Sequence, residues 1–287
     1  MSTKTIVVTG SNRGIGQGII QLLAQTPHQP PLVILATSRS GTDLHIQPSH
    51  SNKIQYAKLD VSDKSSITSF LNSAPRPIDV LMNNAGINNN SNETPDLAVQ
   101  TIDVNYRGTK DMCELFLSEG GMAQQPGARI VNVSSTACQL NNYAPEIQDR
   151  FGAAKSLSDI DALASSYLSA VRAGKQSEEG WGSGAKSYQV SKALINALTA
   201  VLASHNSGVL INCCCPGWVD TDMGQQIGRP PKTLEEGARI PVRLAVGQLG
   251  GGGDGDGGLG GGTEGVSGRY YGNGGVTERG WGSVRGW

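Results

Sequence analysis

The sequence predicts an α/β fold, a doubly wound parallel sheet with helices on both faces. Two observations carry the prediction. Short β-branched runs alternate with amphipathic stretches of helical length. The first of these runs also ends in glycines that lead straight into a helical pattern.

In chain order, the strand at residues 5–10 turns into those glycines and the helix at 14–25 follows. The strand at 32–39 ends on Ser38-Arg39-Ser40, and the strand at 54–61 ends on Asp60-Val61 before a helix at 63–72. A fourth strand, 80–86, closes on Asn83-Asn84-Ala85-Gly86, and a helix spans 95–119. The fifth strand, 129–135, ends on Ser134-Ser135. After a helix at 188–205, a sixth strand at 209–216 carries Cys213, Cys214 and Cys215, and a seventh lies at 269–272, after a helix at 234–246. In such sheets ligands bind in the crevice at the carboxyl ends of the strands, which is where these motifs fall.

Two segments break the alternation. Between 140 and 185 the strand signal vanishes, and apolar residues at mixed three and four spacing over 153–172 predict an inserted helix over or beside the site. From 250 to 262 almost every residue is glycine, which reads as a flexible loop. Residues 1–287 are read as a single domain with no internal repeat.

Composition narrows the function. A formal net charge of -1 gives no general attraction to nucleic acid or an anionic membrane. No apolar run of about 18 residues is present to span a bilayer, and the first residues lack a signal peptide's pattern. The 5 cysteines form no disulfide or metal framework, so no metal is expected and a reducing compartment, the cytoplasm, is. A small-molecule partner fits this balance best.

The chemistry begins at Thr9-Gly10-Ser11-Asn12-Arg13-Gly14-Ile15-Gly16, where glycines let a ligand approach the backbone and a helix N-terminus presents free N–H groups to a pyrophosphate. The spacing is G-x-x-x-G-x-G rather than the commoner G-x-G-x-x-G, and alone it reads equally well as a structural turn. Asn83-Asn84-Ala85-Gly86, Asn105, Ser134-Ser135, Tyr188-Gln-Val-Ser-Lys192 and Pro216-Gly217 follow in order. Together these motifs resemble the short-chain dehydrogenase/reductase family in its classical form, whose fold is a Rossmann sheet.

Residue chemistry agrees with the resemblance. Reducing a carbonyl builds negative charge on its oxygen, so the site needs a proton donor and a polarising hydrogen bond there. Tyr188 is the donor candidate, and Lys192, one helical turn on, is expected to lower its pKa. A serine hydroxyl is the candidate for holding the carbonyl; Ser134 and Ser135 are adjacent strand residues facing opposite sides of the sheet, so only one can reach the site, and the resemblance favours Ser135. The resemblance implies a catalytic set of Asn105, Ser135, Tyr188 and Lys192. Within it the lysine also grips the nicotinamide ribose and the asparagine anchors a water-linked proton relay.

An arginine after the second strand would pair with a 2′-phosphate, whereas an acid there would repel it. Arg39, with Arg13 in the glycine loop, therefore predicts NADPH, although solvated surface arginines are the alternative. The resemblance assigns cofactor contacts to Gly10, Ser11, Asn12, Arg13, Gly14, Ile15 and Gly16, to Arg39, and to Asp60 and Val61 at the adenine. It adds Asn84, Ala85 and Gly86 at the ribose side, Tyr188 and Lys192, and Pro216, Gly217, Val219 and Thr221 at the carboxamide.

The gap from Ser135 to Tyr188 is several times that of most classical members, and Glu179-Gly-Trp181 precedes the tyrosine. Both resemble the monomeric carbonyl reductases, where such an insertion covers the face used for tetramers. The resemblance thus implies a monomeric NADPH-dependent carbonyl reductase acting on a ketone, aldehyde or quinone. A dedicated biosynthetic reductase and a non-catalytic dinucleotide sensor are the alternatives. Trp181 and Trp218 read either as substrate-stacking or as packing residues, and the Gly268-Arg-Tyr-Tyr-Gly272 segment chiefly as core.

Overall fold

A computed structural model describes residues 2–247 and 266–287; the glycine-rich 250–262 segment lies outside them. Among the described residues eight strands form one sheet in the order β3-β2-β1-β4-β5-β6-β7-β8. They are β1 (Lys4–Thr9), β2 (Leu32–Ser38), β3 (Lys53–Lys58), β4 (Val80–Asn83), β5 (Arg129–Val133), β6 (Leu210–Cys214), β7 (Tyr270–Gly272) and β8 (Ser283–Arg285). All neighbours pair in parallel except β7 and β8. The strand order reverses between β1 and β4, the switch point where doubly wound sheets place a ligand. The middle strands are buried on both faces, which explains their continuous apolar runs.

The helices are α1 (Gly14–Gln25), α2 (Lys64–Ser73), α3 (Pro95–Ile102), α4 (Gly108–Ser118), α5 (Pro145–Ala153), α6 (Leu157–Ala173), α7 (Ser187–His205), α8 (Asp222–Gln225) and α9 (Leu234–Val246). Helices α1 and α9 pack together over one face of the sheet. Helices α2, α4 and α7 cover the other, and α6 lies outside them against α3 and α7. Cap chemistry sets several ends. Thr94 accepts from Leu97 N with Pro95 in the first turn of α3; Ser156 with Asp159 and Thr233 with Glu236 form capping boxes on α6 and α9; and Gly174 ends α6 at φ 67°.

Four features differ from the sequence reading. The 95–119 helix is interrupted by a π-helical turn at Asp103–Arg107, with backbone on either side still helical, so the apolar pattern continues through it. The inserted segment holds two helices: α5, opened by Pro145, is short and mostly polar and turns only Ile147 and Phe151 inward. The last strand, β8, is exposed throughout and so carries no apolar alternation. Motif-bearing strand ends at 59–61, 84–86, 134–135 and 215–216 are loops rather than strand.

Trp181 is fully buried, its ring centroid 5.3 Å from that of Tyr167, 6.0 Å from Tyr143 and 6.4 Å from Phe151. It is a packing residue that ties the end of the insertion to α5 and α6. Tyr270 and Tyr271 are likewise buried in core.

Candidate active site

The carboxyl ends of β1, β2, β4, β5 and β6 open into a cleft of about 1630 Å³. Its floor is the glycine turn. Gly10 has φ +62°, and a Cβ there would lie 2.8 Å from Ala85 Cα, so only glycine lets the β1 and β4 loops meet. A Cβ on Gly16 would lie 2.2 Å from Gly10 O, which lets α1 begin directly beneath the turn. Thr9 and Asn84 lock this junction: Asn84 N and Ala85 N each donate to Thr9 Oγ1 at 3.0 Å, and Asn84 Nδ2 donates to Thr9 O at 3.0 Å. No side chain caps the N-terminus of α1, and its first turn holds no acid, so its N–H groups are left for an anion.

Of the residues singled out in the sequence, Gly10, Asn12, Arg13, Gly14, Ile15, Arg39, Asp60, Val61, Asn84, Ala85, Gly86, Ser135, Tyr188, Lys192, Pro216, Gly217, Val219 and Thr221 line this cleft. Three stand behind its wall. Ser11 is buried with both its N and Oγ donating to Thr37 O. Gly16 supports the turn. Asn105, in the π turn, is fully buried; its Nδ2 donates to Ile87 O and Ser191 Oγ, both at 2.9 Å, and its Oδ1 accepts from Ile87 N at 2.8 Å.

At the inner end, Tyr188 and Lys192 share a face of α7 beside Ser135. Lys192 Nζ stands 5.5 Å from the Tyr188 ring centroid and donates to Val133 O at 2.8 Å. Burial pulls its pKa down to about 8. Burial pushes the Tyr188 phenol up to about 12, with a hydrogen bond to Ser135 opposing. The direction is opposite to the one expected from the Tyr–Lys spacing, because loss of solvent outweighs an ammonium engaged elsewhere. Ser135 Oγ also accepts from Ala137 N at 3.2 Å, whereas Ser134 Oγ donates to Lys192 O at 3.3 Å, turned toward the α7 backbone. Of the two serines, Ser135 is the one beside the phenol.

At the outer end, Arg39 is exposed at the close of β2. Arg13 instead donates to Asp222 at 3.0 Å across the cleft mouth, an exposed pair of small energetic weight. Asp60 accepts from Ser62 N and Oγ, which fixes its loop.

Two contributors left no trace in the sequence reading. Lys232 is buried beneath Pro216-Gly217; its Nζ donates to Pro216 O at 2.7 Å, and burial lowers its pKa. Asn90, also on the cleft wall, holds the start of α7. Neither had a readable signal, since each works through a contact set only by the fold.

The cleft thus joins an open helix N-terminus over glycines to a phenol, a hydroxyl and a buried ammonium. The family profile of short chain dehydrogenases matches residues 4–156. Among relatives, the chain is 33% identical to (+)-neomenthol dehydrogenase of Arabidopsis thaliana over 84% of this chain and 90% of the relative. It is 31% identical to carbonyl reductase (NADPH) 1 of Oryctolagus cuniculus over 85% of this chain and 91% of the relative. Salutaridine reductase from Papaver somniferum superposes with a TM-score of 0.74 at 26% identity, covering 93% of this chain and 99% of that one. The NADPH-bound carbonyl reductase from chicken fatty liver gives a TM-score of 0.61 at 25% identity over 100% of both chains. The chain belongs to the short-chain dehydrogenase/reductase family of oxidoreductases.

Proposed function

We propose that this oxidoreductase reduces the carbonyl of a ketone, aldehyde or quinone with NADPH, using Asn105, Ser135, Tyr188 and Lys192. The observation that carries the reading is the gathering of Tyr188, Lys192 and Ser135 on the wall of the cleft whose floor is the glycine turn.

The dinucleotide fits the residues present. The uncapped start of α1 suits a pyrophosphate, and Arg39 suits a 2′-phosphate. Val61 and Asp60 would flank the adenine, and Pro216, Gly217, Val219 and Thr221 the carboxamide. Bound there, reduced nicotinamide supplies a hydride. The protein's part is to handle the oxygen. Ser135 donates a hydrogen bond to the carbonyl oxygen, and Tyr188 gives it a proton as charge builds. With its pKa near 12 the phenol is fully protonated at neutral pH, yet still more acidic than the alcohol it makes. Lys192, charged below about pH 8, stands 5.5 Å from the Tyr188 ring centroid and would hold the nicotinamide ribose of a bound cofactor. Asn105 pins the wall through Ile87.

A second reading, a dedicated reductase of one intermediate, is favoured by relatives named for a single compound, neomenthol or salutaridine. The experiment is to follow cofactor oxidation across a panel of ketones, aldehydes and quinones with NADPH and NADH compared. Carbonyl-dependent turnover with NADPH preferred supports the proposal, and Arg39→Glu should cut that preference at least about tenfold. Turnover confined to one carbonyl compound supports the second reading. No carbonyl-dependent oxidation with either cofactor refutes both.

A further inference from the structure

Tyr188 is only the second residue of α7, in the turn where helices fray, and α7 has no cap of its own. Lys186 occupies the N-cap position and no side-chain cap bond is made there. The missing cap comes from the loop between β4 and α3, about a hundred residues upstream. Asn90 Oδ1 accepts from Tyr188 N at 3.1 Å and from Ser187 Oγ at 3.2 Å. Its Nδ2 donates to Gln189 Oε1 at 2.6 Å and Ala185 O at 3.3 Å, so all of the amide's hydrogens and its oxygen are committed to the start of α7. Glu93 completes the clamp, accepting from Ser187 N at 2.9 Å and Lys186 N at 3.3 Å, with Tyr167 of α6 donating to it at 3.5 Å.

The same loop is anchored at its root by Asn105, whose amide exchanges two hydrogen bonds with the Ile87 backbone. Ile87, Asn88, Asn89 and Asn90 also form one wall of the cleft. We propose that Asn90 is a positioning residue. It replaces the absent N-cap of α7 and so sets where the Tyr188 phenol stands relative to Ser135, with Asn105 and Glu93 bracing the loop that carries it. The inference rests on Tyr188 being the proton donor. Since a misplacement of about 1 Å can cost on the order of a hundredfold in rate, a frayed first turn is felt in turnover well before it is felt in cofactor binding.

The test measures kcat, KM for NADPH and thermal midpoint for Asn90→Ala and Asn90→Asp, with Tyr188→Phe alongside. Asn90→Ala should lower kcat by about tenfold or more while KM for NADPH stays within about twofold. Asn90→Asp keeps the oxygen that receives Tyr188 N, and the Gln189 amide can turn to donate to it, so kcat should stay within about threefold of the parent. Wild-type kcat in Asn90→Ala, a loss confined to thermal midpoint, or an Asp variant as slow as the Ala variant each overturns the proposal. If Tyr188→Phe is dead while Asn90→Ala turns over normally, positioning alone fails. If Tyr188→Phe keeps its turnover, the proton-donor reading fails first.

Discussion

We propose that Lys192 sets the pH behaviour of the site. Burial depresses its pKa from 10.5 to about 8, so the ammonium is lost as pH rises through that value. Between about 8 and 10.5 the unfolded chain binds the extra proton and the folded chain does not, so this group's contribution to stability rises with pH across that window. Activity should move the other way. The reductive kcat/KM is expected to fall above about pH 8, while Tyr188 stays protonated up to about 12. A pH–rate profile checks this, and the residual activity of Lys192→Ala should lack the descending limb. A limb unchanged in that variant would assign it to another group. The Tyr–Lys spacing could be read directly from sequence, because the helical period fixes which neighbours share a face, and the arginine after β2 because it follows a legible strand, whereas Ser135 was separated from Ser134 only by the family resemblance. The direction of the Tyr188 shift could not, since it depends on how tightly the rest of the chain packs around the phenol. Nor could the Arg13–Asp222 pair, whose partners meet only when the cleft forms.

At the scale of elements, the glycine turn and α1 make separable demands. A Cβ at Gly16 would press on Gly10 O at 2.2 Å, and one at Gly18 on Leu234 O at 2.5 Å, where α1 meets α9. Both Gly16→Ala and Gly18→Ala should cost about 1–3 kcal/mol by overpacking, read as a fall in thermal midpoint. Only Gly16→Ala should also weaken NADPH binding, because it displaces the turn that forms the cleft floor; titration of both variants separates the effects. Long elements with strong periods, such as α1, α7 and α9, were legible along with the parallel strands. The π turn was not, because its residues keep helical backbone angles and an unbroken apolar stripe. Helix α5 and strand β8 were not, because one buries only Ile147 and Phe151 and the other is exposed on every residue.

Across the whole molecule, the insertion before α7 has its own aromatic core around Trp181 and lays α6 against α3 and α7. We propose that this covering leaves the chain a monomer, and sedimentation equilibrium should give the mass of one chain across a wide concentration range. A mass of two or four chains would contradict it. Among the described residues no helix is long and apolar enough to cross a membrane. The alternation of strands and helices foretold the doubly wound sheet, yet the antiparallel edge and the loop that caps α7 arise only once distant segments are brought together. Everything at the site converges on one phenol. The most direct test is the turnover of Tyr188→Phe with NADPH and a carbonyl compound, measured beside its affinity for NADPH. Turnover should fall by about 10²–10⁴-fold with affinity little changed; turnover close to that of the parent would rule out Tyr188 as the proton donor.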